Sequence, residues 1–324
     1  MRRWFKAAAM IVVLFNALTG AFAVAQNYPT RPIRLIVPYP PGGSTDPAGR
    51  ALAQWLSEKF GQTVVVDNRG GAGSTIGHAL GAQANPDGYT LLLGTSGGLV
   101  VGPAYGTKVP YDPVKDFAPI GLAVDVPFVV AIFPAVPART IKEFIALGKA
   151  QPGKINFGSP GAGTPNHLGM ELLNALAGTR FVHVPYKGGG LALLDLMSGR
   201  IEALFGGIPY VAPALQSGKA RVIATGHPTR VRSMPDIPAI AEILPGFTNT
   251  TWYGLMGPAG TPQPIINKIN AEMKVALANA EFRKSLEALG LEPVSSTPAE
   301  FGNRIKSELA RWTKVIKDAG VGER

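Results

Sequence analysis

The chain has 324 residues, of which 46% are hydrophobic and 8% aromatic. This length suits two medium-sized domains, since domains of ~100–200 residues are usual. The formal net charge is +10, but basic residues are scattered among acidic ones without runs or interleaved aromatics, so nucleic-acid binding is not expected. No cysteine is present, which excludes disulfides and lipidation at a cysteine.

The first 25 residues have the pattern of a secretory signal peptide. Three basic residues within the first six positions precede an apolar run that ends in AVA at 23–25, as in peptides that are cleaved after small residues. We predict cleavage after Ala25; an uncut, membrane-anchoring start is the alternative. In a bacterium the mature protein would be soluble in the periplasm, with a mild positive field that favours small anions.

Strands and helices then alternate. The strand IRLIVPY leads through a Pro-Pro-Gly-Gly turn into a helix over 48–60, because apolar residues recur there at helical spacing. A strand over 63–68, a glycine turn, a helix over 74–83 and a strand over 89–95 follow. Such alternation predicts a parallel, doubly wound sheet with ligands at the carboxyl ends of its strands.

The alternation starts again near residue 125. Thr140 begins a helix, with Glu143 at the spacing of a capping box. Strand, turn and helix units over 154–178 and 180–199 follow, and then strands over 201–207 and 220–226. This second set predicts a second lobe of similar construction.

The last third contains a strand over 250–258, a long helical stretch over 264–290 and a final helix that begins near Thr297. The final helix has one apolar face, formed by Phe301, Ile305, Leu309, Trp312 and Ile316. We expect it to pack back on the first lobe. The predicted fold is therefore α/β, with two doubly wound lobes around a cleft; lobe 1 covers 28–124 and 249–324, and lobe 2 covers 125–248.

Three turns share one pattern: each follows a strand, is rich in glycine, carries Ser or Thr and precedes a helix. Glycine exposes backbone amides, and a helix start adds a partial positive charge, so such turns can hold anions. The alternative is that they only connect and cap α/β elements. They are PPGGSTD (Pro40–Asp46), GGAGST (Gly70–Thr75) and GSPGAGT (Gly158–Thr164).

Several chemistries are disfavoured. The turns lack the Gly-Lys-Ser/Thr of a phosphate loop and the Gly-x-Ser-x-Gly of an esterase elbow. The four histidines lack zinc spacing, and no cofactor is expected. A triad could be assembled from Ser159, His167 and Asp195, so a secreted hydrolase or transferase remains an alternative. Asp46 either caps helix amides or bonds an amino or hydroxyl group of a ligand.

Six motifs in this order resemble the Bug-type solute receptors, the periplasmic subunits of tripartite tricarboxylate transporters. They are RPIRLIVPYPPGGSTD, VVVDNRGGAGSTIG, DGYTLLLGT, FGSPGAGTPNHL, VHVPYKGGGLALLDLMSGRIEALF and WYGLMGPAGTP, and they span essentially the whole mature chain. The resemblance implies a non-enzymatic, monomeric receptor of the type II periplasmic-binding class that closes on a small organic acid and delivers it to membrane permease subunits. A receptor for a membrane sensor kinase is the alternative within the same fold.

The resemblance also implies a set of ligand-binding residues. On the first lobe they are Tyr39, Gly42, Gly43, Ser44, Thr45, Asp46, Gly73, Ser74, Thr75, Thr95 and Ser96. On the second lobe they are Ser159, Gly161, Ala162, Gly163, Thr164, Tyr186, Lys187, Gly188 and Gly189, with Tyr210 near the expected cleft. For the tyrosines, half-buried packing is the alternative role, and Lys187 could equally be solvated.

Overall fold

The computed structural model describes residues 28–319. The predicted signal peptide and its cleavage site lie outside the described residues. Within 28–319, ten strands form one mixed sheet: β1 (Ile33–Val37), β2 (Val64–Asn68), β3 (Thr90–Thr95), β4 (Phe117–Ile132), β5 (Asn156–Ser159), β6 (Val182–Pro185), β7 (Ala203–Gly207), β8 (Arg221–Thr225), β9 (Thr250–Pro258) and β10 (Glu292–Pro293).

Helices cover the faces and ends of this sheet. None of those within the described range is both long and apolar enough to cross a bilayer. In chain order they are α1 (Thr45–Phe60), α2 (Thr75–Ala82), α3 (Gly102–Tyr105), α4 (Ile141–Ala150), α5 (Pro165–Ala177), α6 (Gly189–Met197), α7 (Ile208–Gln216), α8 (Gln263–Ala278), α9 (Ala280–Ala288) and α10 (Pro298–Ala319).

The sheet has two parts, which meet in β4. This strand pairs with β9 as far as Pro127, and from Phe128 onward it pairs with β7. We call the part with β1, β2, β3, β9, β10 and the start of β4 the first lobe. The second lobe contains β5 to β8 and the end of β4. The α/β fold with two lobes is thus as predicted.

Strand directions are more varied than a simple βα repeat predicts. β1 pairs in parallel with β2 and β3, and β5 pairs in parallel with β6 and β7. β9 instead runs antiparallel to both β3 and β4, and β4 runs antiparallel to β7 and β8. β4 and β9 therefore introduce antiparallel pairing into the middle of the sheet.

The C-terminal helix α10 packs on the first lobe, as its apolar face predicts. Phe301, Ile305, Trp312 and Ile316 are buried, and Leu309 is partly buried. Burial of this stripe provides the main stabilisation of an amphipathic helix. The helix extends the first lobe with a segment distant in sequence from β1.

Two local predictions are refined. The Thr140 hydroxyl accepts the Glu143 N–H at 3.2 Å, which confirms the cap, while the Glu143 carboxylate accepts the N–H of Arg139 at 2.6 Å. The helical stretch over 264–290 is two helices, because Asn279 adopts an extended conformation with ψ of 126°. Its side chain caps α9 by accepting the Phe282 N–H at 2.9 Å.

Candidate ligand-binding site

A cavity of about 590 Å³ is lined by residues of both lobes. Its size lies within the range of small-molecule sites. The predicted site residues that line it from the first lobe are Tyr39, Gly42, Gly43, Ser44, Thr45 and Thr95, and those from the second lobe are Lys187, Gly188, Gly189 and Tyr210.

Three helices begin at the cavity wall: α1 at Thr45, α5 at Pro165 and α6 at Gly189. The first turn of a helix has free N–H groups and a partial positive charge, so each of these ends favours an anion. Lys187 is the one charged residue among those that line the cavity. With a lysine and no carboxylate in its lining, the cavity is electrostatically suited to a negatively charged ligand.

Hydroxyl groups form much of the wall on the first lobe. Ser44 Oγ lies 2.6 Å from the Tyr253 hydroxyl. Burial raises the pKa of Tyr253, against the opposing effect of the Ser44 hydroxyl. Burial also raises the pKa of Tyr39, against the opposing effect of the Ser74 and Thr95 hydroxyls. Both phenols are therefore neutral at physiological pH and repel no anion.

Tyr210 fixes the beginning of α6. Its hydroxyl donates to the Gly189 carbonyl at 2.6 Å. A Cβ added at Gly189 would lie 2.8 Å from the Tyr210 ring, and one added at Gly206 would lie 2.5 Å from it. Since real Cβ atoms do not approach so closely, glycine is required at both positions for the ring to fit. The ring in turn holds the Gly188–Gly190 segment against the cavity.

Asp46 does not line the cavity, contrary to its inclusion among the predicted ligand-binding residues. Its carboxylate accepts hydrogen bonds from Arg50 Nε and from Asn68 Nδ2, both at 3.0 Å. Asn68 Nδ2 also donates to the Tyr39 carbonyl at 3.0 Å. The carboxylate thus links the PPGGSTD turn to β2 and faces away from the cavity. Inside the cavity its negative charge would oppose an anion.

The second glycine turn does not line the cavity, and the third reaches it only through Pro160. Gly73 and Thr75 border a separate space of about 20 Å³ together with Ala162, Gly163 and Thr164. This small space lies where the two lobes touch beside the main cavity. The other predicted residues outside the cavity lining are Ser74, Ser96, Ser159, Gly161 and Tyr186.

The residues of the hypothetical catalytic triad do not assemble. Ser159 Oγ donates to the Gly161 carbonyl at 2.8 Å and lies 2.6 Å from Nε2 of His183, not of His167. Asp195 accepts from the Tyr186 hydroxyl at 2.8 Å and from Arg200 at 2.9 Å. The Ser159 side chain is therefore structural, since it is fully buried and holds its own turn.

Histidines 167 and 183 stack with ring centroids 3.9 Å apart. Burial lowers the pKa of His167 to about 3, with a further contribution from His183, and burial lowers the pKa of His183 to about 4. The Gly163 N–H donates to Nδ1 of His167 at 3.2 Å. Both rings are therefore neutral packing residues that position the third turn. In 28–319, no group of three or more His, Asp or Glu could hold a metal ion.

Sequence reasoning missed part of the lining. Thr251 and Tyr253 reach the cavity from β9, at alternate positions of one strand, whose period of two could have indicated them. Leu191 and Leu194 reach it from α6, although their sequence reads as a helix core. Asn166 also lines the cavity, and its amide donates to the Phe205 carbonyl at 2.8 Å.

A two-lobed α/β fold with an anion-suited cavity between the lobes is the arrangement expected of a solute-binding receptor. The sequence pattern of the family described as "Tripartite tricarboxylate transporter family receptor" matches residues 48–321. The chain belongs to this family of periplasmic solute-binding receptors, which are not enzymes.

Relatives with known names or structures agree. The protein BugT of Bordetella pertussis is 37% identical over 315 residues, covering 96% of this chain and 97% of BugT. The periplasmic binding protein BugD is 33% identical with a TM-score of 0.84, covering 92% of this chain and 100% of that one. The R. palustris protein Rpa4515, solved with adipate, is 32% identical with a TM-score of 0.88, covering 91% and 99%.

Proposed function

We propose that this protein captures a small organic carboxylate in the cavity between its lobes and delivers it to the membrane subunits of a tripartite transporter. The observation that carries the proposal is the convergence of three helix N-termini from both lobes on a cavity lined by one lysine and no carboxylate. Support also comes from Rpa4515, a structural neighbour solved with adipate.

Recognition of the carboxylate depends mainly on the first glycine turn, PPGGSTD, and on the start of α6. Gly42 and Gly43 leave backbone amides open towards the ligand, and the Ser44 and Thr45 hydroxyls add further donors. Hydrogen bonds between such donors and a carboxylate are stronger than neutral ones. Gly188 and Gly189, beside Lys187, provide the opposing donors from the second lobe.

We expect the lobes to close on the ligand, because the donors are divided between the two lobes. A carboxylate held by donors of both lobes binds the closed state better than the open one, and so shifts the population towards closure. We place the hinge near Pro127 and Thr250, where the pairing of β4 with β9 ends and its pairing with β7 begins. Lobe 1 then comprises residues 28–124 and the chain from 249, and lobe 2 comprises 125–248, with the hinge extending a few residues beyond the first boundary.

The test places a negative charge in the first turn. A Cβ added at Gly43 meets nothing within 4 Å, and the residue needs no positive φ, so Gly43→Asp and its uncharged control Gly43→Asn should both fold. At about 5 Å and an effective dielectric constant of about 20, a like charge opposes the ligand by about 3 kcal/mol, or roughly a hundredfold in Kd. Isothermal titration against succinate, adipate, hexanoate and benzoate would measure it.

We expect wild type to bind at least one of these acids, Gly43→Asn to retain most of the affinity, and Gly43→Asp to lose it. Equal affinity in both variants would place the anion elsewhere, and no binding by wild type across the panel would contradict the proposed function. For delivery, uptake of the bound acid by proteoliposomes containing the cognate permease should depend on added receptor. Uptake that proceeds equally without the receptor would contradict the transport role.

A further inference from the structure

Two leucines on the cavity wall are exposed to an unusual degree. Leu194 is 61% exposed and Leu191 is 53% exposed, and no large hydrophobic side chain within 28–319 is more exposed than Leu194. They are three positions apart on α6, so they lie on the same face of the helix. Both line the cavity. An apolar face directed into a binding cavity gains stability when a ligand covers it.

Other lining residues extend this apolar character. Pro40, Pro41, Pro160 and Pro165 also border the cavity, and proline has no backbone N–H to donate. Backbone donors come from the glycine segments of the two lobes, hydroxyl donors come mainly from the first lobe, and the charge is confined to Lys187. The wall therefore combines donor groups for an anion with an apolar surface formed by leucine and proline side chains.

A second carboxylate on the ligand would fare poorly against that surface. Leucine and proline side chains supply neither charge nor hydrogen-bond donors. An ionised group pressed against them on closure would lose water without replacement, which is strongly unfavourable. A hydrocarbon chain or an aromatic ring in the same place would bury its own surface together with that of the leucines.

We propose that the preferred ligand is a monocarboxylate with an apolar body of about five or more carbon atoms or one aromatic ring. This rests on the proposed function, since it assigns the carboxylate to the same donor groups. The apolar body lies on Leu191 and Leu194 of α6. These two side chains then determine specificity, while the glycine segments determine that the ligand is an acid.

Matched acids test the ligand class. Hexanoate and adipate share six carbon atoms and differ in the group at one end, so their ratio of Kd values isolates the second carboxylate. We expect hexanoate and benzoate to bind at least tenfold more tightly than adipate and succinate in isothermal titration. If the diacids bind as tightly as hexanoate or more so, the inference is overturned while the proposed function stands. If no acid binds, both fall.

Variants test the role of the leucines. Leu191→Ala and Leu194→Ala should each weaken hexanoate binding about fivefold, the loss expected when about half of a leucine side chain is no longer covered. Succinate binding should change less than twofold. Leu176→Ala provides the control, since Leu176 is 43% exposed on α5 of the same lobe and outside the cavity lining. Hexanoate affinity that is unchanged in both cavity variants would assign the leucines another role and overturn the inference.

Discussion

Lowering the pH from 7 to 5 should destabilise this protein through its buried neutral histidines. His78 is completely buried, and its surroundings fix one tautomer. Nδ1 donates to the Ser74 carbonyl at 2.9 Å, and Nε2 accepts the Thr95 N–H at 3.2 Å. Protonation would place a second N–H at Nε2 opposite the Thr95 N–H, so burial and geometry both oppose the charged form. Burial lowers the pKa of His78 to about 4.

The direction follows from proton uptake. The pKa of His78 is lower in the folded protein than its usual value of 6.5, so the unfolded chain binds more protons between these values. Stability is then full above about pH 6.5 and is lost as the pH falls towards 4. At 1.36 kcal/mol per pH unit, the interval from 6.5 to 5 removes about 2 kcal/mol through His78. His167 and His183 act in the same direction, because burial lowers the pKa of each below 5.

Urea denaturation at pH 7, 6 and 5 measures this loss. Wild type should lose at least about 2 kcal/mol of unfolding free energy between pH 7 and 5, and His78→Gln should lose about 2 kcal/mol less. His183→Gln offers a second comparison that does not disturb Thr95. The slope with pH is decisive rather than the absolute stability of either variant. An identical slope in wild type and in both variants would refute the assignment to buried imidazoles.

Two substitutions test the packing that supports the site. A Cβ at Gly98 would lie 2.3 Å from Cε1 of His78, and the His78 ring cannot move without breaking its hydrogen bonds. Gly98→Ala should therefore lower the unfolding free energy by about 1–3 kcal/mol. Gly43→Ala, where a Cβ meets open space, should not lower the unfolding free energy. Thermal and urea melts of both would decide. Arg304 donates hydrogen bonds to both carboxylate oxygens of Asp125, at 2.8 and 3.3 Å. Arg304→Met should therefore lower the unfolding free energy by about 1–3 kcal/mol. An unchanged urea midpoint would contradict this expectation.

Element types were predictable because local patterns and burial agree. The β-branched run over 33–37 forms a strand, and the apolar stripe of α10 is buried as its spacing indicates. Strand direction and helix breaks were less accessible. β9 reads like any other strand, and its antiparallel position between β3 and β4 depends on contacts distant in sequence. The break at Asn279 uses a residue that can cap a helix as well as continue one.

The sequence predicted which turns could form the candidate site, but not which way each turn faces. All three glycine turns look alike in sequence, yet the first lines the cavity along most of its length, the third reaches it only through Pro160, and the second meets the third at a separate small space. Which way a turn faces is set by its partners, such as the pair of hydrogen bonds that directs Asp46 away. Leu191 and Leu194 were missed for the related reason that an exposed apolar face has the same sequence as a buried one.

The way in which turns and side chains face the cavity determines which of them can select a ligand. Because most of the groups proposed to bind the anion are backbone amides and hydroxyls around one lysine, any small carboxylate would satisfy them to a similar degree. Discrimination must then come from the rest of the wall, where side chains vary without changing the fold. In this chain that wall includes Leu191 and Leu194, which begin two and five residues after the Gly189 start of α6. If both proposals hold, one short helix carries the end that binds the anion and the surface that selects the body attached to it.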